Sequence, residues 1–325
     1  MGRAGLNRKT ALATATLTLA AEAPDLDVIS RFWGGGFSLN HHRGFTHSFL
    51  GVPLLAVVVV GFMYLIWRAR GRKTRDPNLP PRWGVLLGYA CLAGVSHILL
   101  DFTNSYGVRP FWPFSERWYS WDIVFILEPA LYLILVPALV APALVSRHKP
   151  VPRGALAARL ALVGVLGFYA LRDHEHRRAV DALETNLLES MGMPTRASAY
   201  PYLWTIFRWY GVGEMRDSFV SVDVDTRTGE LDSRAFEIFR KSEDTPATLA
   251  AKRSYLGRVY LDWAKYPLVT EVHSGEDAVV DFKDLRFYYP SLRGRLTLAC
   301  SIELNKSLQL VREKFGPREQ PPPLD

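Results

Sequence analysis

The sequence predicts a mainly α protein: a multi-span transmembrane helical domain over residues 1–172, a small soluble α+β domain over 173–315, and a disordered tail over 316–325. Three observations predict it. Apolar residues make up 49% of the 325 positions and crowd into the first 172. Four stretches there approach the roughly 20 mainly apolar residues that a helix needs to cross a hydrocarbon core of about 30 Å. From Asp173 onward the composition is that of an ordinary globular domain with mixed charge.

Taken in order, the run Thr10 to Ala23 is apolar but short, and follows Arg3, Arg8 and Lys9. A signal peptide has that layout. Pro24-Asp25-Leu26-Asp27 follows directly and reads as a functional loop, which favours a half-span or re-entrant helix. The four predicted spans are Phe49 to Trp67, Trp83 to Leu100, Ile123 to Val145 and Ala155 to Leu171. The second carries His97, and the third carries Glu128, Pro129, Pro137 and Pro142, so something polar lines or kinks both.

The net charge of +7 does not call for nucleic acid, and no DNA contact is expected, because much of the excess sits in Arg68, Arg70, Arg72, Lys73, Arg75 and Arg82 between two apolar runs. That is the flank of a membrane span, and the positive-inside bias assigns it, with Arg147, Lys149 and Arg153, to the cytoplasm. His41 to Ser48, Ile98 to Asp122 and everything after Leu171 then fall on the outer side. Arg172, Arg177 and Arg178 argue against this for the last segment. Two cysteines, Cys91 and Cys300, suit neither a disulfide framework nor a thiolate zinc site.

On this topology Asp25, Asp27, His42, His47, His97 and Asp101 arrive at one membrane face, although Lys and Arg alone set the topology. His97 and Asp101, spaced i, i+4, project from one helix face. Imidazole and carboxylate suit zinc best here, with manganese or iron as alternatives. Asp25 and Asp27, two apart in a turn, can act as ligand and supporting partner, or bridge two ions. Thr46 and Ser48 flank His47 and can orient it. The bland readings are a hydrogen-bonded structural histidine and a pair of turn aspartates. Ionisable groups at membrane depth mark function by default, and six converge. His41 reads as a spare; Asp122 and Glu128 either add a ligand or cap the third span; His174 and His176 read as solvent-exposed.

These residues resemble the membrane-bound metal-dependent hydrolases, also described as LexA-binding, inner-membrane-associated hydrolases. The pattern runs through Pro24-Asp25-Leu26-Asp27, then His42-Arg43-Gly44-Phe45-Thr46-His47-Ser48, then His97-Ile98-Leu99-Leu100-Asp101 with Thr103 and Gly107. It covers about the first 145 residues. Members usually begin with a further helix that starts in a Thr-His motif, whose histidine resembles another metal-site residue. Here Met1-Gly2-Arg3-Ala4-Gly5-Leu6 resembles the basic turn after such a helix, so an earlier start is expected.

In the second domain, 173–192 reads as an amphipathic helix with Ala179, Leu183, Leu187 and Leu188 on one face. Strands are expected at Tyr202 to Trp209, Ser218 to Val224, Ala278 to Phe282 and Leu296 to Leu304, with a hairpin turn at 225–229 and one helix over Thr248 to Ala264. The expected activity is hydrolysis of an ester, phosphoester or amide, on a lipid-linked or amphipathic substrate. In that scheme His42, His47, His97 and Asp101 hold the metal, and Asp25 or Asp27 is a ligand or the general base. The alternative is a non-enzymatic membrane protein in which the same residues form a structural metal site or an ion or proton path.

Overall fold

A computed structural model describes residues 1–145, 153–275, 277–289 and 298–316. The chain divides into two compact units, one of Met1–Ile29 with Arg43–Asp173, the other of Ser30–His42 with His174–Asp325. It is mostly helical in its first part and carries two antiparallel sheets in its second. The expected tail beyond Gly316 and the basic residues Arg147 and Lys149 lie outside the described residues.

The first unit is built on α1 (Ala13–Glu22), α3 (Gly51–Ala69), α4 (Trp83–Phe102), α5 (Pro129–Val145) and the first half of α6 (Arg153–Met191). Leu17, Ala20 and Ala23 pack with Ala56 and Val59 of α3 and Ala90 and Ala93 of α4. Such small residues let helix backbones approach where no hydrophobic drive separates protein from lipid. Gly94 belongs to the same seam, since a β-carbon there would lie 3.0 Å from Val52. The outward faces are apolar: Leu54, Val57, Val58 and Leu65 on α3, and Leu156, Leu160, Val163 and Leu166 on α6, are all more than half exposed. Among the described residues, three helices, Gly51–Ala69, Trp83–Phe102 and Gly154–Met191, are long and apolar enough to cross a membrane.

Two expectations about spans change. The third begins at Pro129 rather than Ile123, because Ile123 and Val124 both donate backbone N–H groups to Thr103 O and leave that segment extended. The fourth continues without a break into the predicted amphipathic helix, giving one helix of 39 residues, about 58 Å long at 1.5 Å per residue. α1, at ten residues, is about 15 Å long and lies against α3 and α4 without spanning.

In the second unit, β1 (Arg196–Pro201), β2 (Arg208–Glu214), β3 (Ser218–Asp225) and β4 (Glu230–Arg240) form one antiparallel meander. β5 (Pro267–Ser274), β6 (Asp277–Asp284), β7 (Ala299–Leu304) and β8 (Leu310–Phe315) form another. Ala179, Leu183 and Leu187 of α6 bury fully against Ala199, Trp209 and Val220, whereas Leu188 points away and is exposed. α2 (Gly35–His41) also belongs to this unit. Of the predicted strand over Tyr202 to Trp209, only Arg208 and Trp209 belong to β2; 202–207 is the connection between β1 and β2, in which Thr205 Oγ1 accepts from the backbone N–H groups of Phe207 and Arg208. The single predicted helix is two, α7 (Pro246–Arg253) and α8 (Tyr255–Trp263). Ser254 sits between them in extended conformation and caps α8 by accepting from Gly257 N–H.

Candidate metal centre

His47 is placed by a short 3-10 turn, Phe45–His47, that runs into α3. The turn abuts the helix start so closely that a β-carbon on Gly51 would lie 1.9 Å from Phe45 O, which only glycine permits. Ser48 Oγ closes the junction, donating to Phe45 O and accepting from Gly51 N–H. His97 and Asp101 stand one turn apart at the end of α4, and Asp25 lies in the 3-10 segment Pro24–Trp33.

These three elements bring Asp25, His47, His97 and Asp101 together, with one donor atom from each lying within 4.8 Å of the others. The two imidazole Nε2 atoms are 3.2 Å apart. His47 Nε2 lies 3.4 Å from Asp25 Oδ1 and 3.3 Å from Asp101 Oδ2, and His97 Nε2 lies 3.5 and 3.4 Å from the same two oxygens. A tetrahedral ion with bonds of 2.0–2.1 Å holds its ligands about 3.3–3.4 Å apart, so five measured spacings fit one ion. Asp101 Oδ2 fits as well: it is buried and makes no hydrogen bond of good geometry. Two imidazole nitrogens and two carboxylate oxygens form a donor set for zinc, with manganese and iron also compatible.

Asp27 occupies a different position from Asp25. Its Oδ2 accepts from Arg43 N–H at 2.8 Å and Thr46 Oγ1 at 3.0 Å, and lies 3.1 Å from His47 Nδ1. A carboxylate can only accept, so Asp27 favours a proton on His47 Nδ1 and leaves Nε2 facing the cluster as the atom that can bind an ion once its own proton is displaced. Burial opposes a charge on His47, but the carboxylates of Asp101, Asp25 and Asp27 beside it outweigh that and push its pKa up to about 10. Contact with His47 and His97 holds the Asp25 carboxyl well below the usual carboxylate range. Without a bound ion the cluster therefore holds protons that a metal must displace.

His42, expected as a ligand, is not among the four. It closes α2, with its N–H bonded to Ser38 O, and Arg43 beside it takes a positive φ. His41 stacks on Phe37 at 3.8 Å. Glu128 accepts from Phe125 N–H near the start of α5. His174 is exposed as expected, but His176 is half-buried against Trp209 with Nε2 3.1 Å from Ala199 O.

Sequence reasoning missed Arg43. It is buried, donates to Asp101 Oδ1 at 2.9 Å, and fans out to Asn104 Oδ1 and Gly107 O. It neutralises the outer oxygen of Asp101 and leaves Oδ2 facing the imidazoles. A basic residue beside a histidine pair carries no periodic signal, and its partners lie about 60 positions away in sequence.

Apolar helices of spanning length that end in a His/Asp cluster define a helical membrane protein with a candidate metal centre. The chain belongs to the YdjM inner membrane protein family, whose model matches residues 1–176. Over 117 residues it is 27% identical to the uncharacterized protein YfhP of Bacillus subtilis strain 168. That segment is 36% of this chain and 32% of the relative, so the match spans about a third of either length. No solved structure matches.

Proposed function

We propose that this inner-membrane protein is a metal-dependent hydrolase that cleaves an ester, phosphoester or amide in a lipid-linked or amphipathic substrate. The observation that carries the reading is the convergence of His47 Nε2, His97 Nε2, Asp25 Oδ1 and Asp101 Oδ2 at ligand spacing. His47, His97 and Asp101 hold the ion; Asp27 fixes the tautomer of His47, and Arg43 fixes Asp101. Asp25, with its side chain half exposed, is the member at the mouth and serves as fourth ligand or as proton acceptor from water. A divalent ion held there supplies Lewis acidity, polarising a carbonyl or phosphoryl oxygen and lowering the pKa of a water. The basic loop between α3 and α4 favours the outer face for this end of the helices.

A test is turnover of amphipathic phosphoester, carboxylic ester and amide probes by detergent-purified protein loaded with zinc or manganese. The proposal expects hydrolysis of one class, abolished by chelator and by His97→Ala. A fully metal-loaded wild type that turns over no class contradicts it and favours a second reading, a structural metal site. One observation favours that reading: four donors complete a tetrahedral shell, whereas catalytic zinc keeps a position for water. X-ray absorption on the loaded protein separates the two by the presence or absence of a water ligand.

A further inference from the structure

We propose that the aromatic hairpin of residues 107–121 is a bilayer-docking element whose Phe111 and Phe114 seat in the interfacial zone of the membrane at the metal-bearing end of the protein. The proposal rests on the membrane-spanning reading of α3 and α4 and not on hydrolysis.

The hairpin is closed by paired backbone bonds between Val108 and Tyr119, each 2.8 Å. Its base is held by Arg43, whose Nη1 donates to Gly107 O at 3.1 Å, and by Phe49 N–H donating to Pro110 O at 2.8 Å. Aromatic rings continue the clamp: Phe49 on Phe111 at 5.7 Å, Phe45 on Trp112 at 5.6 Å, and Phe111 on Tyr119 at 5.5 Å. Yet the tip is not consumed by this packing. Phe114 is 85% exposed and Phe111 48%, and Phe45 and Phe49 are also exposed. A braced loop that presents several phenyl rings to its surroundings is built to be covered.

The occupant follows from depth. At the other end of the same helix pair, Tyr64, Trp67 and Trp83 form a second aromatic cluster with centroids 5.2–6.0 Å apart, beside Arg68 and Arg82. Aromatic belts with flanking cations mark the membrane–water interfaces. α3 has 19 residues and is about 28 Å long, close to the hydrocarbon thickness. Fixing one end at Trp67 therefore puts Phe49, and the hairpin bonded to it, at the opposite interface. Arg117, exposed and stacked over Tyr119 at 5.4 Å, adds a cation at the level where lipid phosphates lie. His97, one turn from Asp101 at this end of α4, puts the cluster within reach of headgroups rather than of the bilayer centre.

The test uses full-length protein in nanodiscs of phosphatidylcholine and phosphatidylglycerol. Nitroxides are attached at Phe114→Cys, Phe111→Cys and, as a control on the hairpin, Glu116→Cys, in a Cys91→Ala, Cys300→Ala background. Power saturation measures access to oxygen, which partitions into lipid, and to a nickel chelate, which stays in water. The proposal expects labels at 114 and 111 to favour oxygen over the chelate by several-fold relative to 116. Equal chelate access at 114, 111 and 116 overturns it. Labels at 114 and 111 shielded from both relaxants also overturn it, since a protein partner then covers the tip. Neither reading depends on metal content or turnover, so failure here and failure of the hydrolase proposal are separate events.

Discussion

His47 and His97 face each other Nε2 to Nε2 across 3.2 Å, one from a turn preceding α3 and the other from the end of α4. Two like imidazole edges do not approach this way for their own stability. The pair is held by carboxylates that contact both rings, Asp25 and Asp101, and by Asp27 behind His47. A divalent cation would satisfy all four converging donors at once.

Asp27 acts through His47. Asp27→Asn removes a charge that stabilises the Nδ1–H tautomer, and such supporting substitutions typically weaken metal affinity about 10–100-fold. Competition with a chromophoric chelator measures this. Unchanged affinity contradicts the orienting role, and a variant that no longer inserts or purifies is excluded by checking helicity first.

Gly51 touches no ligand, yet a β-carbon there collides with Phe45 O. Gly51→Ala must push the His47 turn off the α3 start, an overpacking cost on the order of 1–3 kcal/mol. The expected outcome is loss of metal occupancy with α3 intact. Gly61→Ala on the same helix meets nothing within 4 Å and is expected to leave occupancy and thermal stability unchanged.

The metal-free protein is expected to lose stability as pH rises. His47 has its pKa raised from 6.5 to about 10. A group raised on folding contributes fully below its unfolded value, and the contribution disappears as pH passes through the folded one. Thermal unfolding of chelator-treated protein therefore declines between pH 6.5 and 10, and His47→Gln flattens that decline. A metal-free wild type with constant stability across the window contradicts the assignment.

Much of the cluster was legible in the sequence because it violates its surroundings. His97 and Asp101 interrupt an apolar run at helical spacing, and Asp25 and His47 sit immediately outside apolar runs. The division of labour was not legible. Asp25 and Asp27 are equivalent in sequence, and only the fold shows one among the converging donors and the other behind His47. His42 and Arg43 differ in the opposite sense: the residue type that suits metal lies outside the four, and the cation holds Asp101. In the second unit, the strand at Ser218 to Val224 and the turn at 225–229 announced themselves by β-branched alternation and by glycine. β4 and β8 did not, since Glu230–Arg240 and Leu310–Phe315 are largely exposed along their length and carry charge on both faces. The break at Ser254 was hidden because its flanks are good helix formers; the cap and the close approach of Gly257 to Ala251 O decide it.

The most direct measurement is elemental mass spectrometry of detergent-purified protein, comparing wild type with His47→Ala and His97→Ala after equilibration with zinc and removal of loosely held ions. The account predicts about one ion per chain in the wild type, as four donors around one point require, and near-complete loss in both variants with the helical fold retained. Equal metal in all three proteins, or none in a folded wild type, would contradict it.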